Sequence, residues 1–316
     1  MTLLKNPLIS LVIPVFNEQD NIEKMVLACE TVMKKEGKRF EMIFVNDGSS
    51  DETSKVLREM AKTRPYLKGL VFSRNFGHQP ALHAGLEKSK GDYVITMDGD
   101  LQHPPSLIPA LISKAEEGFL VVNTRRKEQD SLPLVKKISS RWYYSLLNFL
   151  SDVHIEPASA DFRLMQRKAV DVFLSLPERQ RFNRGLVAWL GFNQTFIDYE
   201  PGIRVAGVTK FSFLRMLRFG LDGVTSFSVK PLRLAFYLGS VVSVASILYG
   251  FYAIVIFALG KAIAGWTSLL VSMLFLGGVV LICLGVIGEY VARIYNEVRA
   301  RPIYILQEEI EYPENH

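Results

Sequence analysis

The sequence predicts an α/β domain built on a mostly parallel sheet and carried by two membrane-spanning helices. Three observations lead there. Over the first ~125 residues short apolar runs alternate with amphipathic segments. Polar turn-forming residues follow those runs directly, and two long stretches towards the C-terminus carry no charge.

The apolar runs predict strands at Leu8 to Val15, Phe40 to Val45, Leu67 to Phe72, Tyr93 to Met97 and Leu120 to Val122. Between the first two, Ile22, Met25, Val26, Cys29, Val32 and Met33 recur at helical spacing behind Asp20, the expected N-cap. Strand–helix alternation of this kind builds a nucleotide-binding type of sheet, whose ligands lie beyond the carboxyl ends of its strands. Asn17, Asp47, Arg74 and Asp98 fall on that rim. Amphipathic helices are expected at 135–150, with Trp142, Tyr143 and Leu146, and at 213–227, where Arg215 and Arg218 stand beside Leu214 and Leu217.

From Leu234 to Gly260, and again from Ala262 to Gly288, there is no Asp, Glu, Lys or Arg. Each stretch exceeds the ~20 residues that cross a bilayer core as a helix. Arg215, Arg218, Lys230 and Arg233 precede the first span and Arg293, Arg299 and Arg301 follow the second, against Lys261 alone between them. The bias places both chain ends in the cytosol. The first apolar run is short, contains Pro14 and passes into Asn17 and Glu18, so no signal peptide is expected.

The chain therefore divides into a cytosolic catalytic domain (1–212), a juxtamembrane amphipathic helix (213–231), two transmembrane helices (232–290) and a cytosolic C-terminal tail (291–316). Two cysteines, Cys29 and Cys283, support neither a disulfide framework nor a zinc site. A net charge of +5, with basic residues clustered beside the spans, points to lipid headgroups and not to nucleic acid. No Gly-rich dinucleotide or P-loop pattern occurs, and His78, His83 and His103 read as surface or capping histidines.

The strongest local signal is Asp98-Gly99-Asp100-Leu101-Gln102 after the fourth strand. Two carboxylates one residue apart can converge on Mg2+ or Mn2+, hard cations that share their oxygen shell with phosphate and neutralise a diphosphate leaving group. Alone, such a pair is an ordinary solvated turn. Its order after Pro14-Val15-Phe16-Asn17-Glu18 and Asn46-Asp47-Gly48-Ser49-Ser50-Asp51 strengthens it. In the second motif Asp47 offers an acceptor to a base or ribose, Gly48 permits a tight turn, and Ser49, Ser50 or Asp51 can cap the next helix. A well-capped strand-to-helix loop accounts for the same residues without a ligand.

With Ser73 to Gly77, Asp161-Phe162-Arg163-Leu164, Arg204 to Phe211 and Gly288 to Pro302, these motifs make nearly the whole chain resemble glycosyltransferase family 2. The resemblance is to its GT-A (Rossmann-like) fold and its polyprenyl-phosphate branch, which includes dolichol-phosphate mannosyltransferase and bacterial undecaprenyl-phosphate glucosyl and aminoarabinosyl transferases. It implies that Pro14, Asn17, Glu18, Asp47, Arg74 and Asp98 hold the nucleotide, and that Asp98, Asp100 and Gln102 surround the metal. It further implies that Arg125, Arg141, Ser145 and Arg204 meet the lipid phosphate and that Lys210 closes over the donor diphosphate. Asp100, Asp161, Arg204 and Lys210 form the implied catalytic set. Asn46, Thr209 and Phe211 stand where the family often has Asp, Ser and Tyr.

The implied reaction is inverting transfer of a sugar from a nucleotide-sugar, UDP-glucose for instance, to undecaprenyl phosphate at the cytosolic face of a bacterial inner membrane. Partners are the nucleotide-sugar, the lipid and the membrane, and self-association as a homo-oligomer is left open. Asp161 has two catalytic readings, general base or a group that orients the acceptor or sugar, and a purely structural role beside Arg163 accounts for it without either. A phosphate monoester is mostly dianionic at pH 7 and scarcely needs a base. A processive polysaccharide synthase is the alternative enzyme, but Ile138 stands where its Gln-x-x-Arg-Trp motif would begin. An inactive nucleotide-sugar-binding scaffold is the non-enzymatic one.

Overall fold

The computed structural model describes residues 6–127, 149, 156, 159–179, 181–200, 228–259 and 265–313. Arg141, Ser145, Arg204, Lys210 and both expected amphipathic helices, apart from Phe149, lie outside these residues.

The chain opens as strand β1 (Leu8–Val15), helix α1 (Ile22–Glu36), β2 (Arg39–Asn46), α2 (Thr53–Ala61), β3 (Leu67–Phe72), α3 (His78–Lys88) and β4 (Tyr93–Thr96). A short 3-10 turn leads into α4 (Ile108–Glu116), followed by β5 (Val121–Arg126), β6 (Ser159–Gln166), α5 (Arg167–Ser175), α6 (Asn183–Trp189) and β7 (Gln194–Tyr199). Two long helices, α7 (Lys230–Ala258) and α8 (Trp266–Val298), precede β8 (Leu306–Ile310).

The strands form one eight-stranded sheet in the order β7-β5-β6-β4-β1-β2-β3-β8. β4, β1, β2 and β3 run parallel, as the alternating sequence requires. β6 enters antiparallel between β4 and β5, and β8 closes the other edge antiparallel to β3. The C-terminal tail therefore does not stop at the second long helix but returns to the sheet built from the N-terminal strands.

Helices cover both faces. α1 buries Ile22, Met25, Val26, Cys29 and Met33 against the sheet, the residues whose spacing predicted it. Burying each large apolar side chain contributes about 1.5–3 kcal/mol. On the other face Leu82 and Leu86 of α3 pack with Val170 and Phe173 of α5. The expected N-cap of α1 is corrected: Asn21, not Asp20, holds that position, without a side-chain capping bond. The helix closes at Gly37 in the left-handed conformation. The fourth strand ends at Thr96, one residue early, and the fifth extends to Arg126 through its pairing with β7.

α7 and α8 pack on each other with their apolar side chains largely exposed, and 18-residue windows within them reach mean hydropathies of 2.2 and 2.5. Both are long and apolar enough to cross a membrane. Pro231 lies in the first turn of α7, where its missing N–H costs no hydrogen bond.

Candidate active site

Strand order reverses between β1 and β4, whose neighbours lie on opposite sides, and that switch point is where an open α/β sheet presents ligands. The β1 and β2 loops are laced together there. The Ser50 amide donates to Asn17 Oδ1 at 2.9 Å, the Asn17 amide to Ser49 Oγ at 2.9 Å, and the Glu18 amide to Thr53 Oγ1 at 3.1 Å. Asn17 accepts a φ of 55°, a conformation Asn tolerates better than most residues. Asp51 opens α2 by accepting the Thr53 amide at 3.0 Å.

Asp47 is buried, and its carboxylate accepts the amides of Phe76 at 2.7 Å and Gly77 at 2.9 Å. Burial pushes its pKa up, and the two amides oppose that shift. Gly48, at φ 66°, lies so close to the following loop that a Cβ would fall 2.3 Å from the Arg74 carbonyl carbon. Asp47, Pro14, Phe16, Asn75, Gly77 and His78 line a cavity of about 280 Å3. Arg74 stands beside it with its guanidinium 4.0 Å from the Phe76 ring centre.

The Asp98–Gln102 turn follows β4. A Cβ on Gly99 would meet Val15 Cγ1 at 2.6 Å, so the turn needs glycine. Leu101 is held at φ 62°, a conformation disfavoured for a residue with a Cβ and common where a site stores strain. Gln102 donates its side-chain amide to Asp100 Oδ2 at 2.6 Å and its backbone amide to Oδ1 at 3.1 Å, fixing that carboxylate. Asp98 is bracketed by two histidines. His78 Nε2 lies 2.8 Å from its Oδ1, and His103 Nδ1 accepts the Asp98 amide at 2.9 Å. Although protein surrounds them, the His78 and Asp98 side chains keep 41% and 37% exposure, so the pair can reach a ligand.

Desolvation pushes the Asp98 carboxyl up, but the His78 hydrogen bond and the nearby imidazoles outweigh it and hold the pKa below the ordinary value. Desolvation likewise pushes His78 down, yet its bond to Asp98 leaves it raised. At His103 desolvation prevails and favours the neutral ring. The reading as surface or capping groups holds for His78, which stays exposed, and is corrected for the other two: His83 and His103 are buried, and His103 stacks on Phe162 with ring centres 5.1 Å apart.

Asp161 lies on β6, buried beside the switch point. Its carboxylate bridges two arginines, with Arg163 at 2.9 Å on Oδ1 and Arg184 at 3.1 Å on Oδ2. Burial alone would raise its pKa, but Arg184, Arg163 and His78 hold it far below the carboxylate range. A carboxylate held this firmly ionised is a poor proton acceptor. Arg163 and Arg184 also line a second cavity of about 330 Å3 with Asn123, Val187, Gln194 and Phe196. Arg125 reaches Asp198 at 2.7 Å and Glu156 at 2.9 Å, so an anion at Arg125 competes with two carboxylates.

The structure thus brings Pro14, Asp47 and Asp98, the last through His78, to one cavity mouth, with Asn17 and Glu18 in the adjoining loops. Asp100 and Gln102 form a pair in the same turn as Asp98. Sequence reasoning gave His78, His103 and Arg184 no site role: His78 and Arg184 meet their carboxylates only through the fold, and His103, in the loop after Asp98, accepts the Asp98 backbone amide. Among the described residues no group of three or more His, Cys, Asp or Glu is placed to enclose a metal by itself. Two carboxylates in a strained turn fit a cation that completes its shell with substrate oxygens and water.

Residues 10–174 match the model of the family described as glycosyl transferase family 2, and residues 230–294 match a GtrB C-terminal hairpin. An uncharacterized glycosyltransferase of Synechocystis sp. is 42% identical over 301 residues, 95% of each chain. The SfII prophage-derived bactoprenol glucosyl transferase of Shigella flexneri is 42% identical over 300 residues, 95% of this chain and 97% of its own. Among solved structures, mannosyl-3-phosphoglycerate synthase from Rubrobacter xylanophilus superposes with a TM-score of 0.50 at 17% identity, over 72% of this chain and 74% of that one, a likeness of fold.

Proposed function

The chain belongs to glycosyl transferase family 2, and from that membership we propose that it transfers a hexosyl group from a UDP-sugar, UDP-glucose first, to a polyprenyl phosphate. The observation that carries this reading is one chain's joining of a carboxylate turn at a sheet switch point to a hairpin of two apolar helices. Similarity to a bactoprenol glucosyl transferase over nearly its whole length supports the lipid acceptor.

In this reading the base lies in the cavity of Pro14, Phe16 and Asp47, with Asn17, Glu18 and Arg74 beside it. Asp98 and Asp100 would hold a Mg2+ or Mn2+ ion, with Gln102 acting through Asp100, and the ion when bound neutralises charge on the leaving diphosphate. An acceptor phosphate oxygen attacks the anomeric carbon as its bond to the diphosphate oxygen breaks on the opposite face, which inverts the centre. The phosphate needs no proton removed at pH 7. Asp161 therefore serves as the anchor that orients Arg184 and Arg163 towards the second cavity. Arg125, Arg141, Ser145 and Arg204 are the proposed acceptor-phosphate contacts, and Lys210 covers the donor diphosphate.

The same reading puts both chain ends on the cytosolic side of a bacterial inner membrane. It is supported by attachment of β8 to the sheet that also leads into α7. A cysteine introduced at residue 264 should react with an impermeant reagent from outside intact cells, and one at 313 should not; the reverse pattern removes the topology. The reaction is tested by incubating the purified full-length protein with undecaprenyl phosphate, Mn2+ and a panel of nucleotide-sugars and weighing the lipid products. One sugar per lipid phosphate is expected. A polymer would make the chain a synthase, and no product with any donor would overturn the reading.

A further inference from the structure

The last strand of the chain lies behind the candidate nucleotide cavity. α8 ends at Val298, and its exit is pinned to the catalytic domain: the Arg179 amide donates to both oxygens of Glu297 at 3.1 Å, and its guanidinium donates to the Arg301 carbonyl. The chain turns at Ala300, φ 53°, and runs along β3. The Ser73 amide donates to the Ile305 carbonyl at 3.0 Å, Arg58 grips Glu308 through two bonds of 2.7 and 2.8 Å, and Lys88 pairs with Glu309. Tyr304, between exit and strand, stacks on Phe72 with ring centres 4.9 Å apart and planes 12° apart, and its hydroxyl donates to Glu87 at 2.8 Å.

Phe72 is the last residue of β3, and its ring meets Phe76 edge-on at 5.7 Å. The segment from Ser73 to Gly77 is held on its cavity side by the Phe76 and Gly77 amides on Asp47. From behind it is held by Phe76 on Phe72 and Phe72 on Tyr304. Asn75 and Gly77 of this segment line the cavity. We infer that Tyr304 is a positioning residue for the donor nucleotide, setting the 73–77 wall of its cavity and coupling that wall to the exit of the second long helix. This inference rests on the donor reading above.

The test uses the full-length protein in detergent, with UDP-glucose as donor and undecaprenyl phosphate as acceptor. Tyr304→Ala should raise the KM for UDP-glucose about five-fold, the scale of one aromatic pair, and leave kcat within about two-fold. Tyr304→Phe, which keeps the ring and loses the bond to Glu87, should restore the donor KM. Hydrogen exchange supplies a readout that needs no donor: amides 73–77 should exchange faster in Tyr304→Ala while those of β1 and β2 do not. A fall in kcat at fixed KM overturns the inference, as does exchange that is unchanged at 73–77 or faster throughout the sheet. Absence of UDP-glucose binding by the unsubstituted protein overturns the donor assignment instead, and the exchange pattern still decides Tyr304.

Discussion

His78 Nε2 lies 2.8 Å from Asp98 Oδ1, tying the first turn of α3 to the turn after β4 across 20 residues of sequence. The bond joins the wall of the Asp47 cavity to the carboxylate turn, so the two halves of the candidate site share one rim. Desolvation opposes the pairing, and the pKa of each partner nevertheless moves towards the ionised form.

Asp100→Asn should keep the fold and lose nearly all transfer. Gln102 can still bond an amide at 100, but a charged ligand disappears from the leaving-group side. Transfer rates across an Mn2+ titration, beside a thermal unfolding curve, check this. Full activity at limiting Mn2+ would remove Asp100 from the metal site.

Asp161→Asn should be costly to the fold itself. It leaves buried Arg163 without its anionic partner, a change that typically costs about 3–5 kcal/mol. Because Asp161 is already ionised far below neutrality, the pH–rate profile of the unsubstituted enzyme should show no limb from it between about pH 5 and 8. A descending acid limb that Asp161→Asn abolishes would restore the general-base role.

Gly48→Ala should weaken nucleotide binding and destabilise the domain by about 1–3 kcal/mol, because the new Cβ meets Arg74 backbone and the left-handed φ is strained. Denaturant unfolding and UDP calorimetry measure the two effects. Gly37→Ala, also at positive φ but with open space around it, should cost less and spare binding.

His83 supplies a pH signature. Burial and the charge of Arg181 push its pKa down to about 4, against the weaker pull of Glu87. The unfolded state then binds more protons between about pH 6.5 and 4, so this stabilising contribution is complete above 6.5 and fades as pH falls through that window. The loss is on the order of 2–3 kcal/mol, and His83→Gln should flatten it in stability curves measured from pH 7 to 4. An unchanged slope would mean that His83 is protonated in the folded state.

Much of the fold was legible because it is written in local pattern. β1 to β4 are apolar runs that only a sheet covered on both faces can bury, and α1 shows its buried stripe at helical spacing. The charge-free stretches define the two long helices by composition alone. Elements whose identity depends on a distant partner were not legible. Leu306–Ile310 reads Leu-Gln-Glu-Glu-Ile, a charged segment that becomes a strand because the open edge of β3 accepts it and Arg58 and Lys88 wait for its glutamates. β6 is placed antiparallel between β4 and β5 by pairings that no local period records.

The same division holds for the site. By itself the sequence determined which groups are present: carboxylates one residue apart at a strand end, polar loops on the rim of the sheet, and helices apolar enough to cross a membrane. Only the tertiary structure decided how those groups are tuned. It placed His78 and His103 on Asp98, fixed Asp161 between Arg163 and Arg184, and brought Tyr304 from beyond the long helices to stand behind the 73–77 wall of the Asp47 cavity. The physical reason is range. Residue type and period are set within a few positions of the chain, whereas desolvation and charge pairing depend on neighbours that only folding brings within a few ångströms.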